Sequence, residues 1–227
     1  MNNTFLSTIQ KNKMLVLMIF CVLTFAHFAY RIVNGSTIYL DKIAENILAI
    51  NSNSTFVKPW IFITDFGGQE IVIGFIVVML VAFVYYFKDR TAALLFPLIV
   101  GGSHILNSIL KGLFERPRPE INTIVYEHGL SFPSGHSMTG LVCYGFVGYI
   151  IYKRCQKQSV KLQVTLFFSV LIGLIGCSRI VLGAHYFSDV ISGFSAGAVY
   201  LIMTIKAYEV VKQKYPTVWP LIQKESN

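Results

Sequence analysis

The stretch SRIVLGAHYFSD, residues 178–189, lies at the join between the last two apolar runs of the chain. Ser178 and Arg179 belong to the end of the run over 162–182, Gly183 turns the chain, and His185 and Asp189 open the run over 187–211. A simple anchor has no use for nucleophilic and charged side chains at such a join. Residues four apart share one face of a helical turn. The spacing therefore sets the Asp189 carboxylate where it holds one ring nitrogen of His185 and leaves the other free to attack. Two earlier stretches carry side chains of the same kind: Lys111 with Arg118-Pro119, and Pro133-Ser134-Gly135-His136.

The composition says where such a join belongs. The 227 residues are 54% hydrophobic and 13% charged, against about 25% charged in soluble domains. With a mean hydropathy of +0.60, this reads as a polytopic membrane protein, one domain over residues 1–227. A net charge of +8 would suit nucleic acid. The basic residues instead flank apolar runs and form no single polar face, so nucleic acid is excluded as a partner. Cys21, Cys143, Cys155 and Cys177 lie in or beside apolar runs without a CxxC pair. They read as small buried residues, and neither a disulfide frame nor a zinc site is expected.

Six segments have spanning character: 14–33, 70–87, 91–114, 136–152, 162–182 and 187–211. The expected fold is all-α, a membrane helical bundle with six transmembrane helices. The first segment reads as a retained helix, since no small-x-small cleavage site follows it. Between spans one and two, Leu40, Ile43, Ile47 and Leu48 share one face of a short helix suited to the interface, and Trp60 and Phe62 suit the aromatic belt. The second half of span three grows polar, with Ser103, His104, Asn107, Ser108 and Lys111; such groups face a bundle interior or a cavity. His104 is expected to be packed. Residues 115–135 form a proline- and glycine-rich loop, where Glu115 and Arg116 read as a solvated pair and His128 as a plain loop residue. In the last span, Gly193 and Gly197 make a GxxxG pair that permits close helix packing.

Six spans place both termini on one side. Twelve of the 19 lysines and arginines flank that side, and of the seven opposite, three belong to the motifs. The positive-inside rule then sets both termini in the cytoplasm of a multi-pass cell-membrane protein. All three polar motifs fall at the opposite, non-cytoplasmic ends of spans three to six, which argues for one shared site.

Lys111, Arg118 and Arg179 are three fixed cations, with Ser134 and the Gly135 amide as further donors. That set matches a phosphate group, and the start of the fourth span adds the positive end of a helix dipole. His185, oriented by Asp189, is placed to attack phosphorus in line. His136 is placed to protonate the leaving oxygen and then to activate water against the phosphohistidine. No Asp/Glu cluster suggests a metal pair, so neither metal nor other cofactor is expected.

In order, Lys111 to Pro119 reads K-x6-R-P, residues 133–136 read P-S-G-H, and residues 178–189 read S-R-x5-H-x3-D. These resemble the complete three-part signature of the type 2 phosphatidic acid phosphatase superfamily. The motifs cover 111–189, and the six-span layout extends the likeness to nearly the whole chain. The resemblance implies a helical-bundle lipid phosphatase with His185 as nucleophile, Asp189 as its partner and His136 as acid. Lys111, Arg118, Ser134, Gly135 and Arg179 would bind phosphate. The expected substrate is a lipid phosphate monoester or an isoprenoid diphosphate, with undecaprenyl diphosphate and phosphatidylglycerophosphate foremost. Its tail would enter sideways between helices from the bilayer. A non-catalytic lipid-binding or transport protein on the same scaffold is the alternative, against which the intact His185, Asp189 and His136 set argues. A vanadate-dependent oxidation fits poorly with six spans and no soluble body.

Overall fold

The computed structural model describes residues 12–50, 54–119, 125 and 128–215, and the backbone alone at 45–50 and 54–55. The described residues form helices and connections without strands: α1 (Lys13–Val33), α2 (Tyr39–Ile50), α3 (Ser54–Asp65), α4 (Gln69–Val81, continued by a π turn, Ala82–Tyr86), α5 (Arg90–Phe114), α6 (Gly135–Arg154), α7 (Gln158–Val181) and α8 (Phe187–Lys214). Each expected span is a helix with ends within a few residues of its apolar run. The short helix expected around 40–48 is α2; Ile47 and Leu48 of its apolar face lie outside the described side chains, as do the chain ends carrying Lys11 and Lys224.

α3 is the helix the pattern conceals. Pro59 sits inside it and removes a backbone donor, which normally breaks a helix interior. Packing against α7 overrides that local cost. The loop expected between the first two spans therefore holds a second helix, α3, after the short one expected there.

The exterior is apolar and the interior partly polar, the reverse of a protein in water. Leu23, Val77, Leu98 and Phe167 point outward and are exposed, while Ser103, Asn107, Ser178, Arg179, His185 and Asp189 are buried. Lipid tails solvate such an outer face, and polar groups gather inside. α1, α4 with its π turn, α5, α7 and α8 are long and apolar enough to cross a membrane.

α6 differs in composition for a physical reason. It occupies the centre, packed on α5, α7 and α8, and eleven of its residues are buried. A helix shielded from lipid needs small residues for close approach more than it needs hydropathy, and Gly135, Ser137, Thr139, Gly140, Gly145 and Gly148 supply them. The GxxxG pair performs the same task from the other side. A Cβ at Gly193 would stand 2.6 Å from the Ser134 carbonyl oxygen, and one at Gly197 would stand 3.0 Å from that of Met138.

Two clusters hold the bundle. Toward the loop-and-basic end, Phe83 meets Phe96 edge-on at 5.5 Å, Phe96 stacks on Phe146 at 5.8 Å, and Phe146 meets Tyr208 edge-on at 5.5 Å. Such pairs contribute about 0.5–1.5 kcal/mol each beyond area burial. Toward the motif end, Phe25 of α1, Phe114 of α5 and Phe132 before α6 pack ring on ring. The cysteines divide: Cys21 and Cys143 are buried as expected, Cys155 is half-buried and Cys177 is exposed on α7. Cys177 faces outward because the surrounding apolar run faces lipid, so apolar context alone does not imply burial here.

Candidate active site

The α7–α8 turn builds the first part. The Arg179 carbonyl accepts from the amides of Ala184 (3.0 Å) and His185 (3.1 Å), and Gly183 takes the left-handed conformation (φ 68°) that the tight return requires. The Asp189 carboxylate caps α8 by accepting from the Tyr186 amide at 3.0 Å. The same oxygen, Oδ2, lies 3.4 Å from Nδ1 of His185. The four-residue spacing thus yields the imidazole–carboxylate pair that the sequence suggests, with both side chains buried.

The second part is the start of α6. Ser134 is its N-cap, accepting from the Ser137 amide at 3.4 Å and the Ser137 hydroxyl at 3.0 Å. The Ser134 amide donates to the Asp189 carbonyl at 3.0 Å, which joins this loop to α8. Asn107 of α5 donates to the Pro133 carbonyl at 3.2 Å. His136, in the first turn, is covered by Gly67: a Cβ there would stand 2.7 Å from the ring. The α3–α4 turn that carries Gly67 is tied to α6 by the Tyr144 hydroxyl, which donates to the Phe66 carbonyl at 2.6 Å.

The third part is the end of α5 and the chain beyond it. Lys111 donates to the Leu130 carbonyl and stands 3.5 Å from the Ser131 carbonyl. Arg118 Nη1 donates to the Ala184 carbonyl at 2.9 Å and stands 3.2 Å from Nε2 of His185. With Nδ1 protonated toward Asp189, Nε2 carries the lone pair and accepts from Arg118.

One cavity of about 380 Å³ joins these parts. Lys111, Arg118, Gly135, His136 and His185 line its polar end, with Asn107 beside them, and Val72, Ile73, Ile76, Pro97 and Val100 line an apolar arm between α4 and α5. Asp189 stands behind His185. Ser134 and Arg179 also lie outside the lining: Ser134 is fully buried at the helix cap, and Arg179 is 1% exposed with Nη1 donating to Thr64 of α3 at 2.6 Å. His104, expected to be packed, is exposed at the cavity wall, on the face of α5 that carries Asn107 and Lys111. A lipid-facing helix end with a cavity beside it leaves its ring unpacked.

Arg116 corrects the sequence reading most. It is no solvated partner of Glu115. Its Nη1 donates to Asp189 Oδ1 at 2.6 Å and to the Ser188 hydroxyl at 2.7 Å, and its Nη2 donates to Asp41 Oδ2 of α2 at 2.8 Å. Burial works against its charge, but the carboxylates of Asp189 and Asp41 outweigh that, and its pKa lies above the ordinary arginine value. A signal for it exists in Arg116-Pro117-Arg118-Pro119. A residue before proline is held extended, and alternate residues of an extended chain share one side. Both arginines accordingly reach the same pair, Arg116 at the carboxylate and Arg118 at the imidazole. Asp41, Ser188 and Gly67 carry no comparable local signal.

Known proteins resemble this chain in sequence and in fold. The PAP2 superfamily pattern matches residues 92–212, a span that contains every motif residue above. Phosphatidylglycerophosphatase B of Bacillus subtilis (strain 168) is 30% identical over 189 residues, 80% of this chain and 92% of that protein. The crystal structure of the first transmembrane PAP2 type phosphatidylglycerolphosphate phosphatase from Bacillus subtilis superposes with a TM-score of 0.77 at 28% identity, over 89% of this chain and 98% of that one. LpxE of Aquifex aeolicus shares the fold, with a TM-score of 0.60 at 18% identity over 74% of this chain and 96% of its own. A multi-pass helical bundle, three ordered motifs drawn to one end of it and a family match over more than half the chain lead to one assignment: the protein belongs to the PAP2 superfamily, the type 2 phosphatidic acid phosphatases.

Proposed function

We propose that the protein is an integral-membrane phosphatase that hydrolyses a lipid phosphate monoester or an isoprenoid diphosphate through a phosphohistidine on His185. The observation that carries this reading is the cavity itself, which brings His185, His136, Lys111 and Arg118 together at the end of an apolar arm. Phosphatidylglycerophosphate is the foremost substrate, on the likeness to phosphatidylglycerophosphatase B, with undecaprenyl diphosphate beside it. The apolar arm between α4 and α5 suits an acyl or prenyl tail arriving sideways from the bilayer.

The chemistry proceeds in two displacements. Phosphate oxygens take over the guanidinium donor that Arg118 holds toward Nε2, which frees that lone pair. Nε2 attacks phosphorus, the bond to the leaving oxygen breaks, and His136 delivers a proton to that oxygen. Asp189 steadies the charge that develops on the imidazole. His136, now a base, takes a proton from water as the water oxygen attacks phosphorus, and the bond to Nε2 breaks. Lys111, Arg118 and the amide of Gly135 at the start of α6 stabilise the equatorial oxygens. Ser134 fixes that amide through the helix cap, and Arg179 adds positive charge behind the wall. No step requires a metal ion, so full turnover is expected in excess chelator; loss of activity restored by magnesium overturns that part.

α6 counts as the sixth span in this reading, shielded from lipid by its neighbours. The loops that carry most of the basic residues then face the cytoplasm together with both termini, and the cavity opens toward the non-cytoplasmic face.

Phosphate release from the purified protein, measured against a panel of lipid phosphates and isoprenoid diphosphates, ranks substrates. It also separates an enzyme from a lipid-binding protein on the same scaffold, which would release none. Acid-labile, base-stable phosphate on the wild-type chain, missing from His185→Ala, is expected for the intermediate; labelling that persists in the variant refutes it.

A further inference from the structure

Asp41 belongs to α2, more than 140 residues before the imidazole–carboxylate pair, and neither composition nor motif singles it out. It is nevertheless buried, at 5% exposure. Its Oδ1 accepts from the Ser188 amide at 2.8 Å. Its Oδ2 accepts from the Ser188 hydroxyl at 2.7 Å and from Arg116 Nη2 at 2.8 Å. The other arm of the Arg116 guanidinium meets Ser188 and Asp189 Oδ1, and its flat face lies 3.9 Å over the Tyr186 ring. The guanidinium is thus fixed by two carboxylates, a hydroxyl and an aromatic face, which leaves it one orientation. Asp189 is divided: Oδ1 goes to Arg116, while Oδ2 serves the Tyr186 amide and His185.

The electrostatics give this arrangement a purpose. A lone guanidinium at 2.6 Å would neutralise Asp189 and weaken its hold on an imidazole that becomes cationic during turnover. A second carboxylate on the far side of the guanidinium draws part of that charge away. The series carboxylate, guanidinium, carboxylate, imidazole alternates in sign and leaves the inner carboxylate effective toward His185. We propose that Asp41 and Arg116 are positioning residues for the reaction, a relay from the short helix α2 that fixes Asp189 and preserves its negative charge toward His185. The inference rests on His185 being the nucleophile.

The test uses the full chain in detergent micelles with a short-chain phosphatidic acid as probe. Asp41→Asn keeps the shape of the side chain and removes its charge. It is expected to lower kcat about tenfold, with KM within about twofold of wild type. A residue that acts through Asp189 loses its effect when Asp189 is altered, so Asp41→Asn in an Asp189→Asn background should change kcat by less than about twofold. A merely structural role gives the same factor in both backgrounds. That result, or a wild-type kcat for Asp41→Asn, overturns the relay. Arg116→Lys, which keeps the charge but not the fork, enters the same cycle and is judged by the same criterion if Asp41→Asn does not fold. His185→Ala separates the two readings: activity retained there refutes the nucleophile, whereas an inactive His185→Ala beside a fully active Asp41→Asn refutes the relay alone.

Discussion

A buried aspartate bonds the first turn of a helix at each end of the bundle, Asp89 at one and Asp189 at the other, and the two differ instructively. At the basic end, Asp89 caps α5 through the Ala92 amide at 3.0 Å. Its Oδ2 accepts from Lys212 at 2.5 Å, Tyr208 at 2.7 Å and Arg154 at 3.2 Å. Every partner is a donor on a helix, and the set ties α5, α6 and α8 together. At the motif end, Asp189 has the same kind of neighbours, an arginine and a backbone amide. One of its oxygens instead leads to an imidazole whose second nitrogen faces a cavity. Burial and charge pairing alone therefore do not distinguish the two carboxylates. What distinguishes Asp189 is a partner, His185, that lines a cavity, and the catalytic role proposed for Asp189 rests on that difference.

The largest effect that tests this contrast is expected from His185→Ala. It should lower kcat by at least about 10³-fold with an unchanged unfolding temperature, as read by phosphate release and thermal melting. Near-normal turnover would remove the distinction between the two ends. Asp189→Asn should follow, with a loss of roughly 10²- to 10⁴-fold and little change in KM. Lys111→Ala should weaken inhibition by orthophosphate or vanadate by roughly ten- to a hundredfold, since one charge-assisted contact is lost; unchanged inhibition would take Lys111 out of the phosphate set. At the other end the readout changes from rate to stability. Asp89→Asn should leave turnover within about twofold and lower unfolding stability by about 1–3 kcal/mol, because buried donors lose a charged acceptor.

Asp89 also carries a pH signature. Burial pushes its carboxyl up, but the bonds from Lys212, Tyr208 and Ala92 outweigh that and hold it below its ordinary value. A depressed carboxylate stabilises the fold above its unfolded pKa of about 3.9 and loses that contribution as pH falls through the folded value. Melting temperatures of wild type and Asp89→Asn should therefore differ near neutrality and converge below about pH 4. A constant difference would contradict the ion-pair account.

Much of this molecule is legible from local patterns. Apolar runs against polar joins locate the helices from α4 to α8 within a few residues, because lipid demands long, internally hydrogen-bonded segments whatever the neighbours are. The four-residue spacing of His185 and Asp189 predicts their contact, because a helical turn fixes that geometry alone. α3 escapes detection because Pro59 argues against a helix locally while α7 supports it from outside. Arg116 escapes because an arginine beside a glutamate in a proline-rich loop looks solvated until the chain folds back over α8.

By itself the sequence determined a polytopic helical membrane protein, the three motifs and their common end of the bundle, since hydropathy, helical period and charge bias are all properties of near neighbours. Only the tertiary structure decided that Lys111, Arg118, Gly135, His136 and His185 share one cavity while Ser134 and Arg179 stand behind it. It alone decided that α6 runs through the centre and that Asp41, Arg116 and Asp189 meet. Such meetings depend on how distant helices cross and where loops return, and no periodicity within a single segment encodes that.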